Sequence, residues 1–238
     1  MPKPLTRWQV LPHDKLTRID DDILTVVGEI HMPLTDLPRR MTVVRLQNRR
    51  LVVFSAIALD EPEMAELEAF GRPAFLIVPS DKHRLDAKIW HDRYPDMQVV
   101  APEGARAKVE ETVHVDSTTP DFADPSVHFI TVPGTRGREA ALVVLSTTGA
   151  TLVLNDIVGN IRHASGFGGW LLQVAGFAGD EAKVPAVIKM AVINDRNALR
   201  AQLLEWSEMA SLRRILVSHG SPIEADPRRT LRELAAAL

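Results

Sequence analysis

A short polar loop after a predicted strand is the first place where this sequence could carry chemistry. Residues 75–78 (FLIV) form an apolar run typical of a strand, and Pro79 ends it. The segment Ser80-Asp81-Lys82-His83 follows, and we expect Asp81 to cap a helix that continues through Trp90. A loop at the carboxyl end of a strand is a frequent location for a site in α/β proteins.

A second candidate lies near the other end of the chain. Residues 214–218 (RILVS) predict a buried strand that places His219-Gly220 at its carboxyl end. The sequence has no cysteine, which excludes thiolate nucleophiles, disulfide bonds and cysteine-bound zinc. Histidine and carboxylate side chains are therefore the strong metal ligands that remain.

Other kinds of site do not match the sequence. Gly166-Phe-Gly-Gly169 follows no strand directly and lacks a Walker lysine and a G-x-G-x-x-G spacing, so we expect close helix packing there rather than a nucleotide site. The G-x-S-x-G pattern of α/β-hydrolases is absent. Ser218 and His219 are neighbours on a predicted strand, so their side chains point to opposite sides, which argues against a Ser–His couple.

The composition indicates a globular protein, and we expect residues 1–238 to form one domain. Hydrophobic residues make up 45% and charged residues 25% of the chain, which excludes disordered and fibrous classes. The formal charge is −3, with 28 Lys and Arg scattered among 31 Asp and Glu, so nucleic acid is not an expected partner. No apolar window approaches the roughly eighteen residues of a membrane span, and no apolar signal core precedes Asp14. We predict a cytoplasmic protein without membrane association.

The elements that must position these residues are strands and helices in a mixed order. Residues 41–46 and 51–56 are β-branched runs joined by 47–50, which predicts a hairpin. A proline-marked loop is expected from His31 to Arg40, and a glycine-rich loop followed by a helix from Ile157 to Gly179. The remaining predicted strands are 23–30, 98–101, 114–117, 127–132, 140–146 and 151–154, and the predicted helices are 61–70, 104–111, 184–192, 197–209 and 230–238. The three strands between residues 127 and 154 are close in sequence, so they should pair antiparallel.

Three signatures in this order resemble one superfamily. They are the strand-loop-helix at 75–90, Val132-Pro-Gly-Thr135 before a hairpin that ends Leu154-Asn-Asp156, and Leu216-Val-Ser-His-Gly220. The chain resembles the metallo-β-lactamase fold over nearly its whole length. This likeness implies an α+β or α/β protein, a four-layer αβ/βα sandwich of two mixed sheets with the site at one edge of the sheets. Arg40-Met-Thr-Val-Val-Arg45, Val78-Pro-Ser80 with His83, and Tyr94-Pro-Asp96 before Val100-Ala-Pro102 are similar to the DUF4336-type subfamily, which brings no settled activity with it.

The resemblance also implies which ligands of a dinuclear metal site are kept and which are lost. The first loop of the superfamily carries an HxHxDH motif, and here it offers His83 alone, with Ser80, Asp81 and Lys82 where the first ligands would fall. Asp86 could replace a carboxylate ligand only with a shift of register. Thr135 stands where a histidine would follow Gly134. The candidate pocket implied by the resemblance comprises Ser80, Asp81, His83, Thr135, Asp156, His163 and His219, with His31 a weaker candidate.

Two functions remain open on these residues, and the loss of metal-binding side chains makes the first our leading hypothesis. In the first, the metal site has degenerated, no cofactor is expected, and the protein binds a small molecule or a partner without zinc hydrolysis. In the second, His83, Asp156 and His219 hold one Zn, Fe or Mn ion in a mononuclear hydrolase of a small ester, lactone or thioester, because three protein ligands and an open position suit a catalytic zinc. Each residue also has a structural explanation: Asp156 could cap backbone N–H groups, His219 could join two loops, and His83 could be a loop residue. A homo-oligomer formed through the Gly166–Phe177 surface is a further, weaker expectation.

Overall fold

The first of two mixed sheets has six strands. The computed structural model describes residues 3–32, 35–162, 173–174 and 176–238. Pairing in this sheet is antiparallel across the first four strands and parallel across the last three. In spatial order, which is also chain order, the strands are Thr17–Asp20 (β1), Ile23–Met32 (β2), Thr35–Arg45 (β3), Arg50–Phe54 (β4), Arg72–Ile77 (β5) and Gln98–Val100 (β6).

The second sheet has four strands: Val127–Thr131 (β7), Ala140–Ser146 (β8), Gly149–Asn160 (β9) and Leu212–Gly220 (β10). Its order is β10-β9-β8-β7, with β7, β8 and β9 antiparallel and β10 parallel to β9. The antiparallel pairing expected for the three consecutive strands is confirmed. The described helices are Glu61–Phe70 (α1), Ala87–Arg93 (α2), Glu103–Val109 (α3), Ala186–Ala191 (α4), Arg196–Ser207 (α5) and Pro227–Ala236 (α6).

Alternation along the strands divides the buried side chains into layers. In β4, Leu51 and Val53 pack with Leu67 of α1, whereas Val52 and Phe54 face the second sheet and pack with its inward side chains. Because successive side chains of a strand point to opposite faces, one apolar strand can serve two layers at once. The outer face of the second sheet packs in the same way against α4, α5 and α6. The result is the α+β sandwich of two mixed sheets that the resemblance implied.

Several predicted boundaries are wrong, and the differences matter for the site. The segment before Arg40 is part of β3 and pairs with β2, not a loop. Pro38 is tolerated there because β4 pairs only with residues 42–45, so no strand on that side needs its N–H. The helix α2 starts at Ala87, and Asp81 does not cap it. Residues 114–117 contribute only an isolated bridge from Ser117 to Val100, and β9 runs on to Asn160, past the predicted end.

Two buried arginines join the sheets along β10. At its start, Arg214 donates from Nη1 to Oδ2 of Asp20 in β1, at 2.8 Å. Towards its end, Arg40 of β3 donates from Nε to the carbonyl of Val217 and from Nη2 to the carbonyl of Gly220, at 3.2 and 2.9 Å. A buried guanidinium is stable only with such partners. The carboxyl end of β10 is thus held directly against β3.

Candidate metal centre

Three side chains far apart in sequence meet at the edge of the two sheets. Nε2 of His83 lies 3.1 Å from Oδ1 of Asp156. Nε2 of His219 lies 3.0 Å from the same oxygen and 3.3 Å from Nε2 of His83. The three side chains are only 5%, 4% and 1% exposed. Each offers one ligand atom, and all three atoms lie within 4.8 Å of one another.

An irregularity between β9 and β10 places Asp156 in this group. Leu154 pairs with Val217, and Gly159 pairs with His219, so four residues of β9 stand opposite the single residue Ser218. Extra residues in one strand bend it and redirect its side chains. The carboxylate of Asp156 therefore turns towards the sheet edge from inside a strand rather than from the strand end that the sequence predicted.

His219 is held from the opposite side of its ring. Its Nδ1 lies 2.6 Å from the carbonyl oxygen of Pro38 in β3, while Arg40 fixes the backbone on either side of it. Gly220 has φ +114°, and a Cβ there would lie 2.1 Å from the carbonyl oxygen of Asn160. Only glycine lets β9 pass this close to the residue that follows the histidine.

His83 is oriented by Ser55, the residue after β4. Nδ1 of His83 lies 2.9 Å from Oγ of Ser55, which leaves Nε2 directed at Asp156. Ser55 has φ +58°, a left-handed conformation that costs a non-glycine residue about 1–2 kcal/mol. Backbone strain of this kind persists where surrounding contacts enforce it, and it is common at functional sites.

The hydrogen bond to Pro38 sets which nitrogen of a neutral His219 ring faces Asp156 without a proton. A carbonyl oxygen only accepts, so the proton of a neutral His219 ring is on Nδ1, facing Pro38, and Nε2 presents its lone pair. That lone pair faces the carboxylate oxygen of Asp156. Two electron-rich atoms at 3.0 Å repel each other unless a proton or a metal cation lies between them. The arrangement is therefore chemically suited to a cation.

The surroundings shift the pKa values of two neighbouring carboxyl groups, Asp156 and Glu139, in opposite directions. Burial opposes ionisation of Asp156. The charge of His83 and His219 and their hydrogen bonds to the carboxylate, which need a proton between each ring and the carboxylate when no metal is bound, outweigh burial and hold the pKa of Asp156 well below its ordinary value. Burial, reinforced by the charge of Asp156, raises the pKa of Glu139 well above its ordinary value. Oε2 of Glu139 accepts from Nδ2 of Asn155 and from the backbone N–H of Asp156, at 2.9 and 3.2 Å. Asp156 is thus the ionised member, and Glu139 fixes the backbone that carries it.

The other predicted pocket residues have structural partners instead. Oγ of Ser80 accepts from the N–H of Lys82 at 3.3 Å, and Asp81 forms an ion pair with Arg138. Oγ1 of Thr135 donates to the carbonyl of Val132 at 2.6 Å, within the turn that follows β7. Asp86, the conditional carboxylate ligand, is buried in an ion pair with Arg39, so a shift of register that would make it a ligand does not occur.

The remaining predicted residues either lie outside the described part of the chain or lie away from the site. His163 and residues 166–169 lie outside the described residues, as does most of the Gly166–Phe177 surface. His31 is exposed in β2, with Nδ1 2.6 Å from Oδ1 of Asp36, and does not line the site. Among the described residues, no helix is long and apolar enough to cross a membrane.

Four residues support the site but were not identified in the sequence as site residues: Ser55, Pro38, Arg40 and Glu139. Ser55 was predicted as an ordinary strand residue, and Pro38 as part of a loop. One signal was present: the order strand, helix, strand over residues 51–78 favours parallel neighbours, and in a parallel pair the residue after β4 lies beside the loop after β5. The roles of Pro38 and Arg40 depend on contacts between the sheets, which a local pattern does not contain.

Comparison with known proteins identifies the architecture. No protein-family model and no curated protein matches the chain. Among solved structures, it is similar to the metallo-beta-lactamase FIM-1 from Pseudomonas aeruginosa in its mono-zinc form, at 12% identity and TM-score 0.63, covering 96% of each chain. It is also similar to a metallo-beta-lactamase from Pontibacter korlensis, at 11% identity and TM-score 0.63, covering 94% of this chain and 99% of that one. A metallo-beta-lactamase from Erythrobacter litoralis gives 11% identity and TM-score 0.64 over 94% and 96% of the two chains. The protein has the metallo-β-lactamase fold.

Proposed function

We propose that the protein binds one divalent metal ion through His83, Asp156 and His219. The convergence of their three donor atoms carries this proposal. Donors of a tetrahedral zinc ion, with bonds of about 2.0–2.2 Å, lie roughly 3.3–3.6 Å apart. The present spacings of 3.0, 3.1 and 3.3 Å need only a slight expansion. Two imidazoles and a carboxylate suit zinc, and they also suit iron or manganese.

The activity that fits such a site is hydrolysis of a small ester, lactone or thioester. Three protein ligands leave a fourth position for water or substrate, which is the pattern of catalytic rather than structural zinc. When bound, the ion supplies a Lewis acid that polarises a carbonyl group and activates water. The protein contributes an ionised Asp156, imidazoles whose Nδ1 atoms are held by Ser55 and Pro38, and a site shielded from bulk water. The Pseudomonas aeruginosa enzyme was solved in a mono-zinc form, which supports a single ion as an occupant of this fold.

A second candidate function is binding of a small molecule or partner by a degenerate site without metal. It is favoured by the engagement of Asp81, Asp86 and Thr135 with other side chains and backbone, since these positions supply no donors to a second ion. The likeness of the sequence to the DUF4336-type subfamily agrees with this candidate function, because that subfamily has no settled activity. The cytoplasmic location, the single domain and the homo-oligomer stay predictions.

Metal analysis separates the two candidates. We expect protein purified without chelator to contain about one equivalent of Zn, Fe or Mn per chain, and His219→Ala to lose it. His128→Ala is the matched control, because His128 is exposed on β7 away from the site and should leave the metal content unchanged. The metal-loaded protein should then hydrolyse p-nitrophenyl acetate or a simple lactone or thioester, and chelator should abolish this. A metal-free wild-type protein that also takes up no added zinc would contradict the proposal and leave the degenerate site.

A further inference from the structure

A small cavity adjoins the candidate metal centre on the side of the two histidines. Its volume is about 20 Å³, and its polar wall is formed by Arg39, Ser55, Lys82, His83 and His219, with aliphatic side chains completing it. This is space for one small polar group, since a water molecule needs roughly 10–15 Å³ on this measure. Any larger ligand must lie mostly outside, with one group inserted.

The charged side chains that line the cavity are cationic. Lys82 and Arg39 line it, and no carboxylate lies among its described lining residues. The nearest acidic groups already have partners: Asp86 pairs with Arg39 of the wall, Asp81 pairs with Arg138, and Asp156 contacts the two histidines. The charge without a described partner is thus that of Lys82, and it favours an anion over a cation or a neutral group.

Lys82 and Arg39 each have N–H groups that can donate a hydrogen bond to a ligand. Over the described ranges, the ammonium group of Lys82 has no ion-pair or hydrogen-bond partner, and the residue is exposed. Arg39 is the opposite case: its side chain is 5% exposed, one Nη atom pairs with Asp86, and its buried Nε makes no hydrogen bond. A buried N–H without a partner costs about 1–3 kcal/mol, so a ligand that accepts from it recovers this energy.

We propose that this cavity is an anion subsite in which Lys82 and Arg39 bind a carboxylate group of the substrate. A carboxylate is planar and presents two acceptor oxygens, which suits one guanidinium N–H and one ammonium group, and it is smaller than a tetrahedral phosphate. The inference rests on the proposed function for its substrate: a small ester, lactone or thioester that carries a carboxylate beside an aliphatic segment. Lys82 thereby supplies positive charge at a position where the dinuclear proteins of this fold have a metal ligand.

The subsite can be tested without metal. Metal-free protein is titrated with sodium acetate, and separately with inorganic phosphate, at constant ionic strength while the backbone amides of Ser55, Lys82 and His83 are followed by NMR. We expect saturable acetate shifts, weakened about tenfold in Lys82→Met, because a charge-assisted hydrogen bond is lost. Lys88→Met is the matched control, since Lys88 is an exposed lysine of α2 that pairs with Asp92, and it should bind acetate as the wild type does.

The outcomes distinguish the subsite from the metal centre. Absence of saturable shifts, or equal acetate affinity in wild type and Lys82→Met, overturns the subsite. Phosphate binding tighter than acetate, with the same dependence on Lys82, overturns its assignment to a carboxylate. Acetate binding that depends on Lys82 in a protein that takes up no metal leaves the subsite in place while the proposed function fails. Uptake of one metal equivalent without acetate binding overturns the subsite and leaves the proposed metal centre in place.

Discussion

Ser55 offers the sharpest test of how the candidate metal centre is held. Its hydroxyl group lies against Nδ1 of His83, and its backbone has φ +58°. Ser55→Ala and Ser55→Gly both remove the hydroxyl group, but only glycine relieves the left-handed conformation. Loss of a partner that orients a metal ligand weakens metal binding about 10–100-fold, or about 1.4–2.8 kcal/mol. We expect this weakening in both variants.

The two variants should differ in stability. A non-glycine residue in the left-handed region costs about 1–2 kcal/mol, and the greater freedom of glycine in the unfolded chain offsets part of the gain from its removal. Metal-free Ser55→Gly should therefore have a free energy of unfolding about 1 kcal/mol above that of Ser55→Ala. Urea denaturation measures this difference, and competition with a chromophoric chelator measures the metal affinity.

A matched control separates orientation of His83 from general destabilisation. Ser207 is buried in α5 and donates from Oγ to the carbonyl of Leu204 at 2.7 Å. Ser207→Ala should lower the free energy of unfolding and leave metal affinity unchanged. If Ser55→Ala binds zinc within twofold of the wild type, the hydroxyl group does not orient the ligand and the reasoning is refuted.

Two further predictions concern the two buried arginines that join the sheets along β10, and Asp20, the partner of one of them. Arg40→Met and Arg214→Met should each lower the free energy of unfolding by roughly 3 kcal/mol, because each leaves buried acceptors unpaired. Only Arg40→Met, beside His219, should also weaken metal binding, by about tenfold in competition with a chelator. Equal effects of the two variants on metal affinity would contradict the role of Arg40. Burial opposes ionisation of Asp20, but hydrogen bonds from Thr148, the Asp21 N–H and Arg214, with the charge of Arg214, hold its pKa below the ordinary value. The stabilisation of the folded state by ionised Asp20 is therefore present above about pH 4 and is lost as pH falls through the folded-state pKa. The difference in unfolding free energy between wild type and Asp20→Asn should be constant from about pH 5 to 8 and shrink below about pH 4. A difference that is unchanged at about pH 3 would refute this.

The strands and helices were largely predictable from local patterns, whereas their assembly into two packed sheets was implied by the resemblance of short motifs. The alternating and β-branched runs at 41–46 and 51–56 do form the hairpin of β3 and β4, and α1 begins where acidic residues and proline predicted it. Prediction was poorer where a tertiary contact overrides a local signal. Pro38 reads as a loop residue, yet β3 runs through it because β2 pairs along its full length. Asp81 reads as a helix cap, but its carboxylate pairs with Arg138 instead.

The candidate ligands could be inferred from the sequence, whereas the residues that hold them in place could not. His83, Asp156 and His219 were inferred from a resemblance of short motifs, and the structure brings the three together. Their convergence depends on the irregularity between β9 and β10, which arises from a register that sequence alone does not specify. The support from Ser55 depends on a positive φ at a residue other than glycine, and no residue preference announces that conformation.

The charge around the candidate centre favours one ion over two. Asp81 and Asp86 are neutralised by arginines, and the raised pKa of Glu139 favours its uncharged form, so among the described residues Asp156 is the carboxylate left to balance a metal. One divalent ion with this carboxylate leaves a net charge of about +1, whereas a second ion roughly 3.5–4 Å away would raise it to about +3 in a site shielded from water. Lys82 adds a further positive charge at the cavity wall. Binding of two equivalents of zinc by the wild-type protein would therefore contradict this electrostatic argument as well as the ligand count.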